Sequence, residues 1–174
     1  MTNSELIERM YYSAMDRVHD SEILSELTSV RSDASAHLGI LGFEILLKAN
    51  LLLDGVQFGR SHNYSKLWNT LPTASRDEIV RIGQSRYAGY FKIEEVPEAL
   101  SAFGNVFTRA RYDYEVHKDK SLDEIKRLGD EWLKRGAKDS EADFAYYPFI
   151  RKGLTLGMRR RIERATSAEY DLPE

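Results

Sequence analysis

The chain has 174 residues, 42% of them apolar and 30% charged, the balance of one globular domain with enough length to bury a core without staples. A formal net charge of -3 excludes the uniformly basic surface of a general nucleic-acid binder, so any contact with RNA has to be local. The absence of cysteine excludes a disulfide framework, a thiol nucleophile and a thiolate-held metal, and is compatible with a reducing cytosol. Thr2-Asn3-Ser4-Glu5 lacks the basic and apolar regions of a signal peptide, and the most apolar stretch is interrupted by Glu44 and Lys48, so neither export nor a membrane span is expected and the chain reads as cytoplasmic.

Thr2 and Glu5 have the spacing of a capping pair, and Leu6, Ile7, Met10, Tyr11, Ala14 and Val18 follow at helical intervals. The pattern predicts an amphipathic helix over 4–19, which Ile23, Leu24, Leu27 and Val30 extend beyond a break. From Asp33 to Leu53 apolar side chains occupy nearly every face, as in a helix at the centre of a bundle. Gly39 and Gly42 within it would admit a neighbouring backbone. Asp54-Gly55 ends it as a turn. Tyr64, Leu67, Trp68 and Leu71 predict a short helix stopped by Pro72, and Ser75 with Glu78 has the capping-box spacing for the next.

Residues 83–96 have no clean period. Pro97 suits the first turn of a helix whose apolar stripe is Ala99, Phe103, Val106, Phe107, Ala110 and Tyr114. Ser121 and Glu124 cap a further helix that runs through Leu122, Ile125, Leu128 and Trp132 to Gly136. After a polar and then aromatic segment, Pro148 opens a last helix that Gly153 and Gly157 weaken. With no repeat and no convincing strand, the expectation is a single all-α domain over 1–174, its core about 4–135 and a C-terminal extension about 137–174.

Three stretches, His37-Leu38-Gly39-Ile40-Leu41-Gly42-Phe43-Glu44-Ile45-Leu46-Leu47-Lys48-Ala49, Ser61-His62-Asn63-Tyr64-Ser65-Lys66-Leu67-Trp68 and Arg111-Tyr112-Asp113-Tyr114-Glu115, resemble the HEPN superfamily over roughly residues 34–135. The resemblance implies a four-helix core with short connecting helices and a C-terminal helix. It implies metal-independent RNA cleavage without a cofactor, at a composite site between two copies of the chain, in a toxin-antitoxin or phage-defence setting. The partners it implies are RNA, a second copy, and an antitoxin or nucleotidyltransferase. Catalytic members carry an arginine followed after four to six residues by a histidine, and Arg111 and His117 here are separated by five. Active members often place Asn, Asp or His directly after that arginine; this chain has Tyr112, with Asp113 one place later.

The chemistry suits those residue types. An RNA 2'-hydroxyl can attack its adjacent phosphate if a base, an acid and cationic stabilisation are supplied. Histidine transfers protons near neutral pH, and arginine presents a permanently charged fork to phosphate. Six positions along an ideal helix leave the two side chains about 120° apart, so either the helix ends or bends near Val116 or two motifs meet across a two-fold axis. Glu115, one turn beyond Arg111, has the spacing to orient its guanidinium. The alternative is a buried structural set of Arg111, Glu115 and Glu44.

Glu44, Asp113, Lys48 and His62 are the further supporting polar residues, and the resemblance places Lys48 and His62 near the motif helix; singly, those two read as a snorkelling lysine and a helix cap. Arg159, Arg160, Arg161 and Arg164, against Glu163, offer a local basic field for RNA or a solvated helix face. Asp16, His19 and Asp20 have one-face ligand spacing but no matching set elsewhere, and no metal is expected.

Overall fold

The computed structural model describes residues 2–27, 33–109, 117–137, 147–166, 168 and 170. These form seven α-helices and one 3-10 turn, with no strand among the described residues: α1 (Asn3–Leu27), α2 (Asp33–Leu53), α3 (Tyr64–Thr70), α4 (Thr73–Arg86), the 3-10 turn Ile93–Glu95, α5 (Val96–Arg109), α6 (Leu122–Lys134) and α7 (Pro148–Thr166).

Helix α2 is the centre of the bundle. Ile40, Phe43, Leu46, Leu47, Ala49 and Leu51 are all buried, which is why its sequence is apolar around the axis. Ala34–Leu53 has the length and hydropathy to cross a membrane, but α1, α3, α5 and α7 pack on it here. Its end is a Schellman motif: Gly55 at φ 71° directs the Val56 amide to Leu51 O and its own amide to Leu52 O. Helix α1 lies along α2 as one unbroken element to Leu27, whereas the sequence suggests a break after residue 19. The reciprocal bonds of Thr2 and Glu5 cap it. Close approach needs Gly42, because a Cβ there would meet Ala14 O at 2.8 Å.

Helix α7 departs most from expectation. The sequence reads it as a weak extension, yet Ile150, Leu154, Met158 and Ile162 are core residues, and the helix packs on α4, α2 and α1. Its glycines are the reason. Gly153 sits against Gly83 and the Phe91 ring, and a Cβ at Gly157 would stand 2.8 Å from Ile79 Cα. The propensity lost at each glycine permits the α4–α7 backbones to meet. Helix α6 behaves in the opposite way. Its capping box of Ser121 and Glu124 is present, but it has no buried residue, and Leu122 and Leu128 of its predicted apolar stripe are exposed.

In an ordinary helix interior Gly→Ala stabilises by about 1 kcal/mol. At Gly157 we expect the reverse: Gly157→Ala lowers stability by about 2 kcal/mol through overpacking against α4, measured by urea unfolding.

Candidate functional site

Helix α2 places Glu44 and Lys48 one turn apart on the same face. The start of α3 supplies the residues opposite them. Asn63 caps α3 by accepting the Lys66 amide at 2.8 Å, and this turn brings His62 on one side of the cap and Tyr64 on the other toward α2. Glu44, its side chain 4% exposed, then accepts from three donors. Lys48 Nζ reaches Oε1 at 2.7 Å, Tyr64 Oη reaches Oε2 at 3.0 Å, and His62 Nδ1 lies 3.0 Å from both oxygens. The His62 ring is stacked on Phe107 of α5, centroids 5.0 Å apart and planes 18° from parallel. Lys48 Nζ also lies 5.6 Å from the Phe58 ring centre.

Burial pushes the Glu44 pKa up, but the hydrogen bonds from Lys48, His62 and Tyr64, together with the Lys48 charge, outweigh it and hold the carboxyl below its ordinary value. Burial and the Glu44 charge raise the Tyr64 phenol far above its usual range, so it stays a donor. An ionised carboxylate only accepts, so the His62 proton must be on Nδ1. The neutral tautomer compatible with this contact has its lone pair on Nε2, and the side chain is 52% exposed. His62 is not the α3 cap, which is Asn63, and Lys48 does not snorkel, because its ammonium is bound to Glu44.

The three supporting residues Glu44, Lys48 and His62 are thus brought together, while Arg111, Asp113 and Glu115 lie outside the described residues. His117 is described: it stands in a bend rather than a helix, half-buried, its carbonyl accepting the Lys120 amide at 2.9 Å. Tyr64 and Phe107 complete the cluster and were not singled out as site residues in the sequence. The available signals were the place of Tyr64 two residues after His62 and of Phe107 four before Arg111.

The C-terminal arginines are not a free basic face. Arg161, 10% exposed, donates to Glu78 at 2.9 Å, Asp54 at 2.8 Å, Asn50 at 2.8 Å and Ser75 at 2.9 Å. Arg164 also pairs with Glu78, while Arg159 and Arg160 both pair with Glu163, which accepts the Tyr11 hydroxyl at 2.7 Å. Ser75 and Glu78 are therefore anchors for Arg161 rather than a capping box, since α4 begins earlier, at Thr73 behind Pro72. Asp16 accepts the Tyr170 hydroxyl at 2.9 Å, and among the described residues no three His, Cys, Asp or Glu side chains converge as a metal site.

No family model, curated protein or solved structure matches the chain.

Two stability measurements probe these knots. Glu44→Gln strands the Lys48 ammonium and should cost about 3 kcal/mol at neutral pH. Because folding lowers the Glu44 pKa, its contribution is complete above the unfolded value, about 4.3, and fades as pH falls through the folded value. The difference from wild type in chemical unfolding should accordingly shrink in acid. Arg161→Ala should cost about 3 kcal/mol, whereas Arg160→Ala, removing a surface pair, should change stability by less than about 1 kcal/mol.

Proposed function

We propose that the chain is a HEPN-type endoribonuclease that cleaves RNA without metal, in a cytoplasmic toxin-like or defence system. Arg111 and His117 of two subunits face one cleft in this reading. The guanidinium holds the scissile phosphate, and the imidazole moves a proton as the 2'-oxygen attacks. The observation that carries the reading is the convergence of Glu44, Lys48 and His62 against Phe107, four residues before Arg111. Of these, Lys48 and His62 are the polar residues that the HEPN resemblance sets beside the motif helix. The bend at His117 supports it as well, since an unbroken helix would hold the two motif side chains about 120° apart.

A second reading, a non-catalytic HEPN module that binds RNA, a nucleotide or a protein partner, draws support from the paired C-terminal arginines and from Tyr112 after the motif arginine. Incubation with single-stranded RNA in excess chelator separates the two. Cleavage by the wild type that falls at least about 100-fold in Arg111→Ala and in His117→Ala is the result expected of the enzyme. Binding without cleavage, unaltered by His117→Ala, would support the module. Sedimentation at micromolar concentration should show a dimer under both readings, and a strict monomer would leave the composite site of the first incomplete.

A further inference from the structure

We propose that His62 is the general base of this reaction, an assignment that rests on the ribonuclease reading above and divides the proton transfers between two histidines. His62 Nε2 takes the proton of the attacking 2'-hydroxyl. The 2'-oxygen forms its bond to phosphorus as the bond from phosphorus to the 5'-oxygen breaks. The imidazolium of His117 gives the departing oxygen its proton. The products are a 2',3'-cyclic phosphate and a 5'-hydroxyl, so protons and electrons balance with no metal or further reactant.

Three features of the cluster fit a base rather than a structural histidine. The ring is fixed from two directions, by the Glu44 carboxylate at Nδ1 and by the Phe107 face, while half of the side chain is open to solvent. A residue held only for packing would not need an oriented edge and an open one. The helix-capping role that could otherwise explain a histidine at this position is filled by Asn63. The acceptor-only carboxylate also selects, among the neutral tautomers, the one with its lone pair on Nε2, the ring nitrogen not engaged by Glu44.

Charge follows the same logic. With His62 neutral, the Glu44 charge is already balanced by Lys48. Once His62 takes a proton, the trio of Glu44, Lys48 and His62 carries one net positive charge, at the stage when the phosphoryl group gathers negative charge. The cluster thus gains its cationic character when the transition state needs it. Glu44 is a positioning residue in this scheme, acting through His62.

A bridging-sulfur substrate tests the assignment. An unstructured single-stranded oligoribonucleotide is compared with the same oligonucleotide carrying a 5'-bridging phosphorothiolate at the linkage that the wild type cuts, both in chelator. The sulfur departs as thiolate and needs no acid. His62→Asn is the variant of choice because its amide can still donate to Glu44 but has no basic nitrogen; thermal melting confirms that it is folded. On the ordinary linkage His62→Asn and His117→Ala should each lose at least about 100-fold in kcat/KM. On the sulfur linkage His117→Ala should recover to within about threefold of wild type while His62→Asn remains depressed. Glu44→Gln should lower kcat on both linkages with little change in KM. If His62→Asn keeps wild-type rates, or recovers with the sulfur linkage, His62 is not the base and the ribonuclease reading survives. A wild type that cuts neither substrate removes both.

Discussion

A carboxylate placed halfway along the most apolar helix of a bundle imposes conditions on everything around it. Glu44 is nearly inaccessible to solvent, and an isolated ionised carboxylate in such a setting would take up a proton. It stays ionised because three donors from two elements converge on its two oxygens. That requirement sets the register of α3 against α2: His62 and Tyr64 reach the carboxylate only if Asn63 caps the short helix where it does. It also bears on α5, because the His62 ring held by Glu44 is the surface on which Phe107 stacks. A polar interaction therefore fixes the geometry of an otherwise greasy interface, in which shape alone leaves more freedom.

The second polar knot is anchored on the same helix but faces another way. Asn50 is six residues beyond Glu44, about 120° around the axis, and with Asp54 it receives Arg161 of α7. Asn50 further donates to Leu46 O within α2 and to Met158 O of α7. Arg161 also binds Ser75 and Glu78, so α4, α2 and α7 are joined at a single guanidinium. The planar fork suits this task because five donors can reach several acceptors at once. One face of α2 thus holds the proposed site and another holds the scaffold, so α2 links the two knots.

What the sequence revealed and what it hid follow from the range of the forces involved. Caps at Thr2/Glu5 and Ser121/Glu124 were legible because both partners lie within one turn. Ser75 and Glu78 have identical spacing and do something else, because a guanidinium more than 80 residues away competes for them and Pro72 lets α4 begin sooner. Gly153 and Gly157 were read by helix propensity, a local quantity, although their value lies in contact with Gly83 and Ile79. Glu44 and Lys48 have one-turn spacing, yet the sequence suggests Arg111 and Glu115 as partners of Glu44 and a snorkelling role for Lys48; Lys48 and His62 enter as site residues through the order of motifs in the HEPN resemblance. Tyr64 looked like an ordinary apolar helix residue, since only the fold shows that its hydroxyl ends at a buried carboxylate. Arg111, Asp113 and Glu115 lie outside the described residues, so the sequence argument for them stands on spacing.

Electrostatics gives the proposed site its remaining constraint. A run of arginines near the C-terminus suggests a phosphate-attracting field, but Arg159, Arg160, Arg161 and Arg164 share three carboxylates, Glu163, Glu78 and Asp54, which cancel most of their charge beyond a Debye length of roughly 8 Å at physiological salt. With an overall charge of -3, long-range steering of a polyanion is weak. In the proposed reaction, attraction to a phosphate would then have to be generated at short range, by contact with the Lys48–Glu44 pair and with an imidazole that gains charge as it takes a proton. A site built this way discriminates by contact geometry rather than by charge density, and its effectiveness depends on how rigidly the buried carboxylate holds the imidazole above it.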